Sequence, residues 1–175
     1  MDWLEYMAFS IFRVFRRLRL RRITRVGTST HRFTEYFKGF EKVEAVRGIF
    51  GEETEEVLRN LKIEFMGLGG YMSVDDTNGH LMVNARYLNS GNKVDVYLDV
   101  IHELYHVKQF MQGRELFDSR YDYIERPTEV EAYRYTVQEA RRLGLSDKRI
   151  CQYLKTEWMS DSDLKRLAKA LDVAC

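Results

Sequence analysis

The segment His-Glu-Leu-Tyr-His, residues 102–106, carries the residue types with the clearest chemistry in this sequence. On a helix, His102 and His106 lie one turn apart on the same face, so both imidazole rings can reach one metal ion. Neutral imidazole nitrogen binds zinc at about 2.0–2.1 Å, and zinc lowers the pKa of a bound water toward about 7. Glu103 follows the first histidine and can act as a general base toward that water. The spacing therefore predicts two zinc ligands and a base.

The stretch around this segment, Val94 to Met111, is apolar on almost every side. A run of this length without a helix breaker predicts a central, largely buried helix, and Gly113 is a natural end for it. Ionisable side chains inside such a helix normally need a partner or a metal. The alternative is that the two histidines and the glutamate face solvent, or make ordinary hydrogen bonds within the core.

A third protein ligand does not follow directly along the chain. The residues between His106 and Gly113 contain no histidine, and His31 and His80 lie upstream in other elements. The next predicted helix follows Pro127, a residue favoured at helix starts, and it offers Glu129 and Glu131. These two side chains are about 200° apart around the helix axis, so only one can face the metal.

The HELYH segment followed downstream by Glu-x-x-Ala resembles the gluzincin type of zinc metallopeptidase, in which a Glu on the next helix is the third ligand. The resemblance implies that Glu129 is this ligand and Ala132 the small residue after it, while Tyr133 stands where the family has Asp or Asn. It covers residues 31–143 and is similar in compactness to the minimal gluzincins and to the ImmA/IrrE-like metallopeptidases. Glu131 is the competing ligand.

The resemblance implies an activity as well. We expect Zn²⁺-dependent hydrolysis of a peptide or protein substrate, with Glu103 as the catalytic base. A group that stabilises the oxyanion is also expected. Three tyrosines are candidates, although each could simply pack against its neighbours: Tyr121, Tyr123 and Tyr133.

The implied fold is a compact α+β, zincin-like fold with backing helices, a small mixed sheet, a buried active-site helix and C-terminal helices. Asn78-Gly79 predicts a hairpin between Tyr71–Val74 and His80–Tyr87, because both turn residues tolerate positive φ. The second arm precedes the active-site helix and is the candidate to bind substrate backbone. Backing helices are predicted over Phe33–Val46 and Glu52–Leu61.

Three parts of the chain are expected. Residues 1–26 predict a basic amphipathic helix, residues 27–144 the metallopeptidase core, and residues 145–175 a pair of helices packed on that core. The pair covers Asp147–Thr156 and Asp161–Leu171, each introduced by a capping serine.

The net charge of +1 identifies no partner, but the arginines of residues 1–26 suggest possible binding partners for this segment. This helix could dock on the core through its apolar stripe, lie on an anionic membrane surface, or contact nucleic-acid phosphates. A second hypothesis for the whole chain is therefore a regulatory or nucleic-acid-associated binding protein with little proteolytic activity. The presence of Glu103 favours the enzyme, because a protein that only holds metal does not need this base.

Cys151 and Cys175 have no CxxC partner, so the sequence indicates no disulfide framework. Unpaired cysteines are typical of a reducing compartment. The basic residues of the N-terminal segment follow its apolar stretch, which is not the order of a secretory signal peptide. The expected location is cytoplasmic, with peripheral membrane contact as a further option.

Overall fold

The computed structural model describes Ile11 and residues 13–23, 29–67 and 69–175. In this part of the chain, helices surround a small mixed sheet, and the predicted α+β fold is confirmed. The helices are α1 (Phe33–Tyr36), α2 (Glu44–Phe50), α3 (Thr54–Asn60), α4 (Ala85–Ser90), α5 (Lys93–Met111), α6 (Pro127–Arg142), α7 (Asp147–Leu154) and α8 (Asp161–Ala170). Short 3-10 turns cover Phe40–Lys42, Gly51–Glu53 and Tyr123–Glu125. The strands are β1 (Arg19–Leu20), β2 (His31–Arg32), β3 (Phe37–Lys38), β4 (Lys62–Met66), β5 (Met72–Val74) and β6 (Leu81–Asn84).

The main sheet has the order β2-β4-β6-β5, with β4 and β6 parallel and the other neighbours antiparallel. The predicted hairpin is confirmed: Gly79 N–H donates to Asp75 O at 2.8 Å, and Asp75 N–H donates to His80 O at 2.9 Å. Because β6 lies between β4 and β5, both of its edges are occupied. The prediction that the arm His80–Tyr87 binds substrate backbone is therefore wrong, and β5 is the strand at the edge of the sheet.

The second hairpin arm is also shorter than expected. The side chain of Asn84 accepts the backbone N–H groups of Arg86 and Tyr87, which makes it the N-cap of α4. A capping asparagine satisfies N–H groups that the first helical turn leaves unpaired, so the chain turns helical there. The alternation of apolar residues before Asn84 predicted that the strand would continue, and it hid the capping role of this asparagine.

The central helix is confirmed as α5, with Asn92 as its N-cap. Leu98, Ile101 and Leu104 on this helix are completely buried. Helix α6 packs beside it, and Tyr97 Oη donates to the buried carboxylate of Glu139 at 2.5 Å. The two helices that the sequence predicts to hold the ligands are therefore joined through the core.

The prediction of one helix over residues 1–26 is wrong from Arg16 onward; residues 1–10, 12 and 24–28 lie outside the described part. Residues 19–20 form β1, which pairs with β3. Gly39 explains the break, because a Cβ there would lie 2.4 Å from Arg17 O, and its φ of +92° suits glycine. The same turn interrupts the predicted helix over Phe33–Val46.

The C-terminal helices α7 and α8 are capped by Ser146 and Ser160, as predicted. Their apolar side chains join the main core, Ile150 and Leu167 being completely buried. The structure corrects the expectation about cysteines: Cys151 and Cys175 form a disulfide across 24 residues. Helix α8 turns the chain back toward α7, and the spacing of the two cysteines in the sequence does not reveal this proximity. Because the cysteines are paired, they no longer argue for a reducing compartment.

The division into residues 1–26, 27–144 and 145–175 stays a prediction. Throughout the described ranges, the protein contains no helix with both the length and the apolar character needed to cross a bilayer.

Replacing Gly79 by alanine should destabilise the protein by about 2–4 kcal/mol. Positive φ is costly for alanine, and a Cβ would lie 2.5 Å from the Phe110 ring, so strain and overlap add. Gly113→Ala is the matched control, since Gly113 has φ +71° but open space around the new Cβ, and should cost about 1–2 kcal/mol. Urea unfolding measures both; equal losses would show that the contact with Phe110 is unimportant.

Candidate metal centre

The three sequence-predicted ligands lie together between α5 and the first turn of α6. His102, His106 and Glu129 are 6%, 5% and 4% exposed, so three ionisable side chains share one buried position. Pro127 occupies the start of α6, and Glu129 lies in its first turn, where the helix dipole favours negative charge. The start of α6 therefore positions the Glu129 carboxylate in the site.

The spacing of the three donor atoms suits a tetrahedral ion. His102 Nε2 lies 3.0 Å from His106 Nε2 and 3.3 Å from Glu129 Oε2. The third side of the triangle, from His106 Nε2 to Glu129 Oε2, is 3.4 Å. A tetrahedral zinc ion with bonds of about 2.0–2.1 Å holds its ligand atoms about 3.3–3.4 Å apart. The triangle thus matches one face of that tetrahedron to within a few tenths of an ångström.

A hydrogen-bond chain through Gln109 fixes which nitrogen of His106 faces the site. The Gln109 amide nitrogen donates to Thr128 O at 3.0 Å and to Glu131 Oε2 at 3.1 Å, both of which can only accept. Gln109 Oε1 must then accept the Nδ1–H of His106, at 2.7 Å. In the neutral ring, the lone pair is left on Nε2, which faces the other two donor atoms. Such outer bonds orient metal-binding histidines.

Glu131, the competing ligand, lies elsewhere. Its carboxylate pairs with Arg114, whose Nη2 is 3.2 Å from Oε1, and it accepts the Gln109 amide. Glu129 Oε1, by contrast, faces Arg126 Nη1 at 3.8 Å while Oε2 faces the two rings. The structure brings Glu129 to the histidines and leaves Glu131 outside the group.

The charges within the group are strongly coupled. Burial alone would raise the pKa of Glu129, but hydrogen bonds and charges from the two histidines hold it well below its usual range. Burial would lower the pKa of His106, yet Glu129 raises it to about 9. For His102, burial dominates and lowers the pKa. At neutral pH the metal-free group is therefore a carboxylate with one protonated imidazole.

Glu103 lies on α5 beside this group. It is buried, and within the described chain its Oε2 has no hydrogen-bond partner. Burial raises its pKa to about 8, against an opposing effect of His106. A carboxylate with a pKa near neutrality and an unpaired oxygen has the properties of a general base.

Two cavities share His102 and Glu103 in their linings. The acidic cavity, about 170 Å³, is also lined by Asp99, Tyr71 and Tyr87. The strand cavity, about 510 Å³, is lined by β5 and also reaches His106 and Glu129. Tyr123 lines both cavities. Together the two cavities form a cleft that Glu103 lines.

The three candidate tyrosines have different surroundings. Tyr121 is 44% exposed and lines neither cavity. Tyr123 and Tyr133 have their hydroxyl oxygens 2.7 Å apart, and the Tyr133 ring packs 4.3 Å from the His102 ring, centroid to centroid. His102 Nδ1 has no partner among the described residues, which agrees with tyrosine replacing the acidic residue expected at position 133.

The chain was compared with protein-family models, curated proteins and solved structures. None of the three comparisons found a match. The interpretation of this centre therefore depends on its geometry and on the motif.

The sequence analysis did not predict two residues that lie beside the centre. Gln109 lies three residues after His106, and Asp99 lies three residues before His102, so both share the helix face of the histidines. Polar residues at this spacing within an otherwise apolar helix were the available signal.

Glu129→Gln should weaken zinc binding by more than about 100-fold, because losing a group that merely orients a ligand already costs about 10- to 100-fold. Glu131→Gln, a matched change two residues away, should cost about tenfold at most. Competition with a chromophoric chelator measures both, and thermal unfolding checks that each variant is folded. A larger loss in Glu131→Gln would mean that the wrong carboxylate has been assigned.

Zinc binding at neutral pH should release at least one proton. Below pH about 9 the metal-free His106 is protonated, and zinc needs its neutral ring, so protons compete with the metal. Apparent affinity should thus rise by about tenfold per pH unit toward pH 9 and fall as pH is lowered. Calorimetry in two buffers of different ionisation enthalpy counts the protons. Affinity that is independent of pH, with no proton released, would contradict this ligand set.

Proposed function

We propose that this protein is a zinc-dependent peptidase. The observation that carries the proposal is the buried triangle of two imidazole nitrogens and one carboxylate oxygen, 3.0–3.4 Å on a side, with Glu103 next to it. Two histidines and a glutamate form a ligand set typical of catalytic zinc sites, which keep a fourth position open. The strand cavity reaches all three ligands, so a fourth position is accessible from the cleft.

The chain's own residues account for the proton movements of peptide hydrolysis. A bound zinc ion supplies Lewis-acid polarisation of the carbonyl and lowers the pKa of water. Glu103 lines the cleft, so its carboxylate can take a proton from water as the water oxygen bonds to the carbonyl carbon. The same carboxyl then gives that proton to the leaving nitrogen as the carbon–nitrogen bond breaks.

Tyr123 is the best placed donor for the developing oxyanion. It lines both cavities, and its hydroxyl is held beside that of Tyr133. Tyr123 is half-buried, and a hydroxyl in such a partly water-excluded position stabilises a developing negative charge more effectively than one in bulk water.

The substrate backbone has an edge on which to lie. Strand β5 pairs with β6 on one side, and no further strand pairs with its other side in the part of the chain that the structure describes. Met72, Ser73 and Val74 of β5 line the strand cavity. An extended peptide could add to this edge and bring a peptide bond to Glu103.

Glu103 also separates the peptidase from the alternative, a regulatory or nucleic-acid-associated binding protein. A buried carboxylate without a partner is costly, and the metal ligands do not require it. Its position at the junction of two cavities supports a catalytic role. The proposed contact of the N-terminal arginines with membrane or nucleic acid, and the cytoplasmic location, stay predictions.

Glu103→Gln should lower the hydrolysis of a fluorogenic peptide library by about 10²- to 10⁴-fold, the usual contribution of a general base. Zinc content, measured by mass spectrometry, should stay unchanged because the ligands remain. Glu35→Gln, an exposed position on α1, is the matched control and should retain activity.

If the zinc-loaded wild type and Glu103→Gln show the same residual hydrolysis, the peptidase assignment fails. Retained zinc with no hydrolysis by the wild type would favour the binding protein.

A further inference from the structure

The acidic cavity extends beyond the groups that the hydrolytic reaction uses. Its volume of about 170 Å³ lies below the range of about 300–1,000 Å³ typical of whole-ligand pockets, and above the roughly 30 Å³ of one water molecule. This size suits one side chain. The cavity meets the strand cavity at His102, Glu103 and Tyr123, so a side chain within it would belong to a residue beside the scissile bond.

Asp99 provides the charge of this cavity. Its carboxylate is deeply buried and accepts the hydroxyls of Tyr87 and of Tyr153, the latter at 2.8 Å. Burial raises its pKa to about 6, so it is mostly ionised at neutral pH. No cation pairs with it among the described residues.

Two other charged groups that line the cavity are already paired. Asp95 forms an ion pair with Arg149, and Lys155 Nζ lies 2.5 Å from Asp161 Oδ1. Asp99 and the proposed base Glu103 are the carboxyl groups of the lining that form no ion pair within the described chain. An ionised carboxylate held away from water is strongly stabilised by a cation.

Aromatic rings form the wall beside this carboxylate. Tyr71 has its ring 4.7 Å from that of Tyr87 and 5.6 Å from that of Trp158, centroid to centroid. Trp158 is 56% exposed and marks the side open to solvent. Aromatic faces attract ammonium and guanidinium groups, and the attraction grows as the cation is desolvated.

Two buried oxygens in the lining have no partner. Thr156 Oγ1 and Glu103 Oε2 are inaccessible to solvent and make no hydrogen bond within the described chain. Buried polar atoms are normally satisfied, so exceptions need an explanation. Both oxygens can accept a hydrogen bond, and lysine and arginine side chains have N–H donors and no acceptor.

We propose that the acidic cavity binds a cationic side chain, lysine or arginine, of a residue next to the bond that is cut. This inference rests on the proposed peptidase function and adds a substrate class to it. The strand cavity has a mainly apolar lining that includes Leu116 and Phe117. The preferred substrate would thus have a basic residue on one side of the scissile bond and an apolar residue on the other.

The test compares short alanine-based peptides, with blocked termini, that differ at one residue: lysine, arginine, norleucine or citrulline. Binding is measured by calorimetry on zinc-loaded protein with the inactivating change Glu103→Gln, so that the readout does not require hydrolysis. Lysine and arginine peptides should bind about 10- to 100-fold more tightly than their uncharged counterparts, as expected for hydrogen bonds to a charged group.

Adding Asp99→Asn should reduce the ratio of affinities for charged and uncharged peptides to nearly one. Since a buried change could disturb the fold, Tyr71→Leu supplies a second variant: it keeps apolar volume and should reduce the preference severalfold. Glu35→Gln controls for total charge and should leave the preference intact. Equal binding of lysine and norleucine peptides would overturn the proposal. A preference that appears solely with a free N-terminus would also overturn it, because the cavity would then bind an α-ammonium group.

The same peptides separate this proposal from the proposed function. Asp99-dependent binding without hydrolysis by the wild type would leave the cavity assignment standing and reject the peptidase. Hydrolysis of lysine and norleucine peptides at equal rates would support the peptidase and reject the cavity assignment.

Discussion

The convergence of three acceptor atoms at one buried point is the constraint on which the rest of the structure depends. Two imidazole nitrogens and a carboxylate oxygen within 3.4 Å of one another hold more negative potential than the surrounding core can stabilise without a cation. A proton on His106 meets that need when no metal is bound, and a divalent ion would meet it better. Gln109 aligns one ring, and the start of α6 directs Glu129 inward. The packing of α5 against α6 thus determines the chemistry.

The parts of the fold that local patterns control could be predicted from the sequence. The apolar stretch around the HELYH segment becomes α5, Asn78-Gly79 forms the hairpin turn, and Ser146 and Ser160 cap the C-terminal helices. The pairing of His102 with His106 was expected from their helical spacing, and Glu129 from the resemblance, with Glu131 left as the competing ligand. Periodicity and capping act over a few residues, so they can be recognised without knowing the tertiary structure.

Features that depend on distant contacts could not be predicted. The basic segment after Arg16 forms β1 because Gly39 lets the chain approach closely. Strand β6 is central because it pairs with β4 as well as with β5, the strand that precedes it in the sequence. The Cys151–Cys175 disulfide depends on how α8 turns. The choice between Glu129 and Glu131 needed the position of Arg114, which holds Glu131 away from the histidines. Each of these outcomes is decided by tertiary packing.

The most direct test of the central claim is a crystal structure of the zinc-soaked protein with anomalous data collected on both sides of the zinc absorption edge. If His102, His106 and Glu129 hold zinc, one strong peak is expected at about 2.0–2.2 Å from His102 Nε2, His106 Nε2 and a Glu129 oxygen, with an open position toward the cleft. A crystal with zinc in the soak but no peak within the triangle, or with a peak coordinated by Glu131, would contradict the central claim.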